Sequence, residues 1–323
     1  MTDLILPQNT SLVITRQRSL DQNPAAVYLG SLSEGSRRSQ RQALDVMAGL
    51  LTGGRANAYN LNWAALRYQH TALLRTRLME SYSPATANKF LCALRRTLKQ
   101  AWRLGQMSAE EYQRTADLET VKGNTLIAGR QLLPDEIDAL MDVCMADNSA
   151  AGARDAAIIS LMYTGGPRRD EVVQLDLKDY KPRTGEIRIL HAKRNKKRTN
   201  YLNSDAAGAM ADWLAFRGVQ DGPLFVAINK GGKVDQKLRR LSSQSIFNML
   251  RKRGSEAGLE SFSPHDLRRS CISDLLAAGA DISTVAKMAG HENVNTTARY
   301  DRRPEEAKQK AASLLHVPYR RRF

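Results

Sequence analysis

The stretch Ser263-Pro-His-Asp-Leu-Arg268, resumed at Gly290-His-Glu-Asn-Val-Asn-Thr-Thr-Ala-Arg-Tyr300, decides how the rest of this chain is read. His265 and Arg268 are three residues apart, a spacing that puts both side chains on one face of a helix. That helix is expected from about His265 to Ala278, with Pro264 near its first position. A second is expected from Asp281 to Met288, closed by Gly290, and a third element from Val294 to Tyr300. Four groups of the stretch suit phosphoryl transfer: the guanidinium of Arg268, the imidazoles of His265 and His291, and the phenol of Tyr300. The first three can hold the oxygens of a phosphodiester and the phenol can attack its phosphorus. Such chemistry needs no metal if cations already neutralise the developing charge.

Any one of these residues alone has an ordinary explanation, a satisfied surface or core side chain. Four unlike residues at fixed intervals do not. The run H-x-x-R, then G-H, then T-T-x-x-Y resembles the C-terminal signature of the tyrosine recombinases, the phage-integrase and Xer-type enzymes. The resemblance implies that His265, Arg268, His291 and Tyr300 are catalytic, and that the chain cuts and rejoins DNA through a 3′-phosphotyrosine without metal or ATP. It extends to Thr164-Gly-Gly-Pro-Arg168-Arg-Asp-Glu171, which carries the family's Arg-x-x-Glu with one extra residue and a proline before the arginine. Arg168 is therefore the expected first arginine and Arg169 its competitor. The family's Gly-Lys-Gly-x-Lys-x-Arg hairpin aligns with the basic run Lys193 to Arg198, making Lys193 the expected catalytic lysine and Lys196 the second choice. Ala192 and Arg194 stand where the glycines would be.

Composition narrows the partners. The 323 residues carry 49 Lys and Arg against 33 Asp and Glu, a formal charge of +16. Such an excess points to a polyanion, double-stranded DNA first and an anionic membrane surface second. No run of about 18 apolar residues exists, no secretory signal is read at the N-terminus, and no amphipathic basic helix bears aromatics, so no membrane role and a cytoplasmic location are expected. The hydrophobic fraction of 42% suffices for packed cores. Three scattered cysteines, Cys92, Cys144 and Cys271, fit buried thiols rather than a disulfide frame or a zinc site. Neither G-x-x-x-x-G-K-[ST] nor G-x-G-x-x-G occurs, so no ATP, NAD or other cofactor is expected.

Along the chain, residues 1–35 read as a loosely ordered arm. Residues 36–120 read as a helical module, with helices from Arg41, over Trp63 to Met79, from Pro84, and after Ser108 as N-cap. The resemblance implies that this module is the DNA-gripping core-binding domain. Residues 121–131 read as a linker and 132–323 as the catalytic domain, with helices opening at Leu133 and spanning Ala151 to Tyr163. Strands are expected over Gly185–Leu190 and Thr199–Leu202, and a further one over Leu224–Ile228. Helices are also expected over Ala206–Arg217 and Ser242–Gly254. Arg251, Lys252 and Arg253 suit that last helix's dipole and equally a DNA groove. A final helix, Glu305 to Leu315, precedes a basic tail to Phe323. The fold class is thus mainly α with a small antiparallel β-sheet, a helical N-terminal domain followed by an α+β catalytic domain.

Two other functions remain on the sequence alone. A type IB topoisomerase uses similar chemistry on one duplex, and a DNA-binding regulator would explain the charge without the chemistry. The helical module and C-terminal tail favour a recombinase acting as a homo-tetramer on paired sites. Target sequence, accessory DNA-bending proteins, and the choice between integration, excision and dimer resolution stay open.

Overall fold

The computed structural model describes residues 12–14, 19–123, 129–190, 197–229, 231–301 and 312–314. The chain forms two compact units, Met1–Ala128 and Gly129–Phe323, each with its own core. Lys193 and Lys196, the helix expected from Glu305 and the tail to Phe323 lie outside the described residues, apart from 312–314.

In the first unit, α1 (Pro24–Gly30) starts where Asn23 accepts hydrogen bonds from the backbone N–H groups of Ala25 and Ala26. It is followed by α2 (Glu34–Thr52), α3 (Tyr68–Ser81), α4 (Pro84–Arg103) and α5 (Ala109–Ala116). Leu91, Leu94 and Leu98 line one face of α4 and meet Leu44, Met47 and Leu51 of α2 in the core. Ser108 caps α5 reciprocally with Glu111. Two expectations fail here. Residues 24–29, assigned to a loose arm, are helix, because Ala25, Tyr28 and Leu29 form an apolar stripe buried in the core. The single helix expected over Trp63 to Met79 is broken: Trp63–Ala65 is one 3-10 turn, and Leu66 is extended before α3 begins. Trp63 and Leu66 both bury, and Trp63 Nε1 donates to the carbonyl of Ala58. Burial outweighs helical continuity there.

The second unit opens with α6 (Pro134–Ala146), α7 (Ala150–Gly165) and the short α8 (Arg169–Gln174). An antiparallel sheet follows in the order β1 (Tyr180–Lys181), β2 (Glu186–Ile189), β3 (Arg198–Tyr201). Its register pairs Ile187 with Asn200 and Ile189 with Arg198. Helices α9 (Ser204–Arg217), α10 (Ser243–Glu256), α11 (Pro264–Ala277), α12 (Ile282–Ala289) and α13 (Val294–Ala298) complete it. Helix α7 is apolar nearly all round and runs through the core, burying Ile158, Ile159, Leu161 and Met162. The strand expected over Leu224–Ile228 is absent as a strand. Val226 and Ile228 make isolated bridges to Arg240 and Val234 instead, while Leu224, Phe225 and Val226 bury as a core loop. Cys144 and Cys271 are buried as expected, but Cys92 is exposed on α4. Among the described residues no helix is long and apolar enough to cross a membrane.

Of the two roles open for Arg253, the structure places it in the last turn of α10, where it suits the dipole. It does not face a groove: it is buried, with Nε 2.9 Å from Asp155 Oδ2, Nη2 2.6 Å from Asp147 Oδ2 and Nη1 3.1 Å from Glu256 Oε2. Asp155 sits within the buried length of α7 and needs countercharge, which Arg154 of its own helix supplies to Oδ1 and Arg253 of α10 to Oδ2. Removing one member of such a cluster leaves the others buried and undercompensated. We expect Arg253→Ala to lower the unfolding free energy by about 3–5 kcal/mol, read as a shift in urea midpoint at constant slope.

Candidate active site

Helix α11 starts with Pro264 in its first turn and Ser263 as N-cap; Asp266 Oδ2 accepts from both the backbone N–H and the hydroxyl of Ser263 at 2.9 Å. This start turns His265 and Arg268 towards one pocket of about 340 Å³, lined also by Arg168, Arg169 and Phe247.

Arg268 is only 1% exposed. Its Nη1 donates to the carbonyl of Gly166 at 2.5 Å and its Nη2 to that of Ala289 at 2.6 Å. Both carbonyls lie at helix C-termini, where backbone acceptors lack intrahelical partners and the dipole is negative. Gly166 ends α7 with φ 58°, and a Cβ there would lie 3.2 Å from Cys271 Sγ. The glycine and the proline after it, irregular against the family pattern, thus form the turn that aims a carbonyl at Arg268. Burial pushes Arg268 down to about 10, helped by Arg168 and opposed by Glu171. It stays protonated at neutral pH.

Arg168 is the N-cap of α8. Its backbone N–H donates to Glu171 Oε2 at 2.8 Å and its Nη1 to Oε1 at 3.0 Å. Glu171 is buried and also receives Arg198 in a two-pronged pair, Nη2 to Oε2 at 2.6 Å and Nη1 to Oε1 at 3.1 Å. Burial alone would raise the Glu171 carboxyl, but Arg198 and then Arg168 hold it below the usual carboxylate range. Arg169 lines the same pocket, but its nearest carboxylate is that of exposed Asp170 at 3.8 Å. Of the two competing arginines, Arg168 is the one anchored by a buried carboxylate.

His291 follows Gly290, which ends α12 in the left-handed conformation at φ 67°. Its Nδ1 lies 2.8 Å from Thr297 Oγ1, a bond that orients the ring. Burial first, then Arg268 and Arg168, push His291 down to about 4; burial and the neighbouring arginines lower His265 as well. Both imidazoles are therefore neutral at pH 7 while surrounded by cations. Tyr300 packs with its ring nearly parallel to His291, 16° between planes and 6.3 Å between centroids, and with the Arg269 guanidinium 5.8 Å from its centre. Ile272, Leu276, Val285 and Ala289 surround it.

Arg168, His265, Arg268, His291 and Tyr300 thus come together, while Lys193 and Lys196 fall outside the described residues. Sequence reasoning placed Arg198 in a basic run without giving it a role, and left Arg269, Asn200 and Thr297 without one in their own segments. Two of these carried a signal: Arg198 stands at the last arginine of the hairpin pattern, and Thr297 is the second threonine of T-T-x-x-Y.

The profile of the phage integrase family matches residues 130–306. The tyrosine recombinase XerC of Actinobacillus pleuropneumoniae is 37% identical over 175 residues, 52% of this chain and 54% of its own length. XerC of Azotobacter vinelandii is 28% identical over 291 residues, 89% of this chain and 87% of its own. The chain therefore spans about half the length of one of these relatives and most of the other. Among solved structures, that of the Tn1549 transposon integrase in complex with transposon right end DNA superposes with TM-score 0.68 over 92% of this chain and 99% of that one, at 14% identity. That likeness concerns the fold alone.

A histidine held neutral by the fold binds protons only after unfolding, so stability must fall as pH drops through the window between its two pKa values. For His291 that window runs from the ordinary 6.5 down to about 4. We expect urea midpoints to decline across it, and His291→Gln to remove part of the slope.

Proposed function

The chain belongs to the phage integrase family, the tyrosine recombinases, and from that premise we propose that it is a site-specific recombinase that cuts and rejoins double-stranded DNA. One observation carries the reading: Arg168 at the start of α8 and His265 and Arg268 from α11 line one pocket, and beside them the turn after α12 places His291, on whose ring Tyr300 stacks.

In the step we propose, Tyr300 Oη forms a bond to phosphorus and the bond from phosphorus to the 5′ oxygen breaks, leaving a 3′-phosphotyrosine. A phenol with an ordinary pKa of about 10 must lose its proton during attack, and neutral His265 can take it. Arg268 and Arg168 would hold the nonbridging oxygens as charge builds, and His291 would add a hydrogen bond from its Nε2. The proton for the departing 5′ oxygen would come from Lys193, or from Lys196. Because the ester keeps the energy of the broken bond, a second strand's 5′ hydroxyl can reverse the step. No cofactor takes part in this scheme.

The charge of +16 supports a duplex partner, since each neutralised phosphate releases counterions. We further propose that the first unit grips the DNA as the core-binding domain, and that four copies assemble on two paired sites in the cytoplasm. The competing topoisomerase-like reading shares the chemistry and differs only in outcome. An assay on DNA carrying two sites separates them: strand exchange supports recombination, and relaxation alone defeats it. Tyr300→Phe is expected to bind DNA as the parent does and to form no covalent adduct on a nicked suicide substrate; an adduct from that variant rules Tyr300 out. Arg268→Ala should slow adduct formation about 10²-fold or more in single-turnover assays.

A further inference from the structure

Arg198 belongs to none of the groups that face the pocket, yet it touches the support of two of them. It is the first residue of β3 and its side chain is 9% exposed. Both ends of its guanidinium clasp Glu171, the carboxylate that holds Arg168. Its Nε donates to the carbonyl of Met288 at 2.8 Å, in the last turn of α12 just before His291. Gly290 completes the fit: a Cβ there would lie 2.9 Å from Arg198 Nη1, so the turn that presents His291 is shaped around this guanidinium. Asn200, two residues along the strand and on the same face, repeats the pattern by donating to Gly165 at 2.6 Å and to Met288 at 3.1 Å.

We propose that Arg198 is a positioning residue that locks Arg168, through Glu171, and the His291 turn into one register, so that cleavage requires it although it never touches the phosphate. A planar guanidinium suits this task because it serves a carboxylate with two parallel bonds and still has Nε for a carbonyl. The other charged groups facing Glu171 are Arg168 from its own turn and Arg268 from α11. Without Arg198 only these would oppose the burial that favours the protonated carboxyl, and a protonated Glu171 holds Arg168 less firmly. The proposal rests on the reading of Tyr300 as nucleophile.

The test compares Arg198→Met, Arg198→Lys, Glu171→Gln and the double variant Arg198→Met/Glu171→Gln in the full chain. The readouts are DNA affinity, thermal midpoint and single-turnover adduct formation across pH. For Arg198→Met we expect DNA affinity within about twofold of the parent and adduct formation slowed about 10²-fold, the scale of a misplaced catalytic group. Its acid limb should also move to higher pH. Arg198→Lys should retain the parent's acid limb and recover part of the rate, which keeps the idea testable if the Met variant folds poorly. The double variant should be no slower than the slower single one, since both changes break the same link. Costs that multiply, an unmoved acid limb in Arg198→Met, or adduct formation at the parent rate would each overturn the proposal. A parent protein that forms no adduct at all would instead defeat the function proposed above.

Discussion

The second unit is organised by the need to place a buried guanidinium against backbone carbonyls. Arg268 is sealed from water, and among the described residues its acceptors are the carbonyls of Gly166 and Ala289 rather than a carboxylate. A cation so placed is tolerable only where dipoles point their negative ends at it. The C-termini of α7 and α12 do so, each ended by a glycine in the left-handed conformation that frees a carbonyl to turn inward. Asn200 and Arg198 satisfy the neighbouring carbonyls of the same two helix ends. Four orphan acceptors thereby become one scaffold, and the packing of α7, α11, α12 and β3 follows from it.

This arrangement sets the electrostatics. The buried carboxylate that faces these arginines, Glu171, is already shared between Arg168 and Arg198. Burial first, and the remaining positive field second, keep both histidines neutral. A pocket of that kind is prepared for an anion: an arriving phosphate supplies the missing negative charge, and its oxygens meet donors that need no reorganisation. Tyr300 lies on the apolar side of the same cluster, between an imidazole and a guanidinium. Apolar packing against Ile272, Leu276, Val285 and Ala289 fixes its ring.

Elsewhere the same physics acts structurally. Arg253 looks from its neighbours like part of a basic helix end, but Asp155 and Asp147 draw it inward. Arg198 looks like the end of a solvated turn, but the strand register directs it at Glu171. In both cases the partner lies far along the chain, 98 residues for Arg253 and 27 for Arg198, so no local window contains the reason.

What the sequence determined by itself is local. Apolar spacing announced most helices, Pro264 and Gly290 marked where α11 starts and α12 stops, and His265, Arg268, His291 and Tyr300 announced the chemistry by their intervals. Its errors were also local in origin: α1 was too short to stand out, Trp63 to Met79 was too regular to show its break, and Leu224–Ile228 looked like a strand although its partners are single bridges. Tertiary structure alone decided between Arg168 and Arg169 as the anchored arginine, because the decision rests on which one reaches a carboxylate also held from β3. It alone assigned Arg198, Asn200 and Thr297 their partners and held the imidazoles neutral. Those properties depend on burial and on charges brought together from distant segments, and neither quantity exists until the chain has folded.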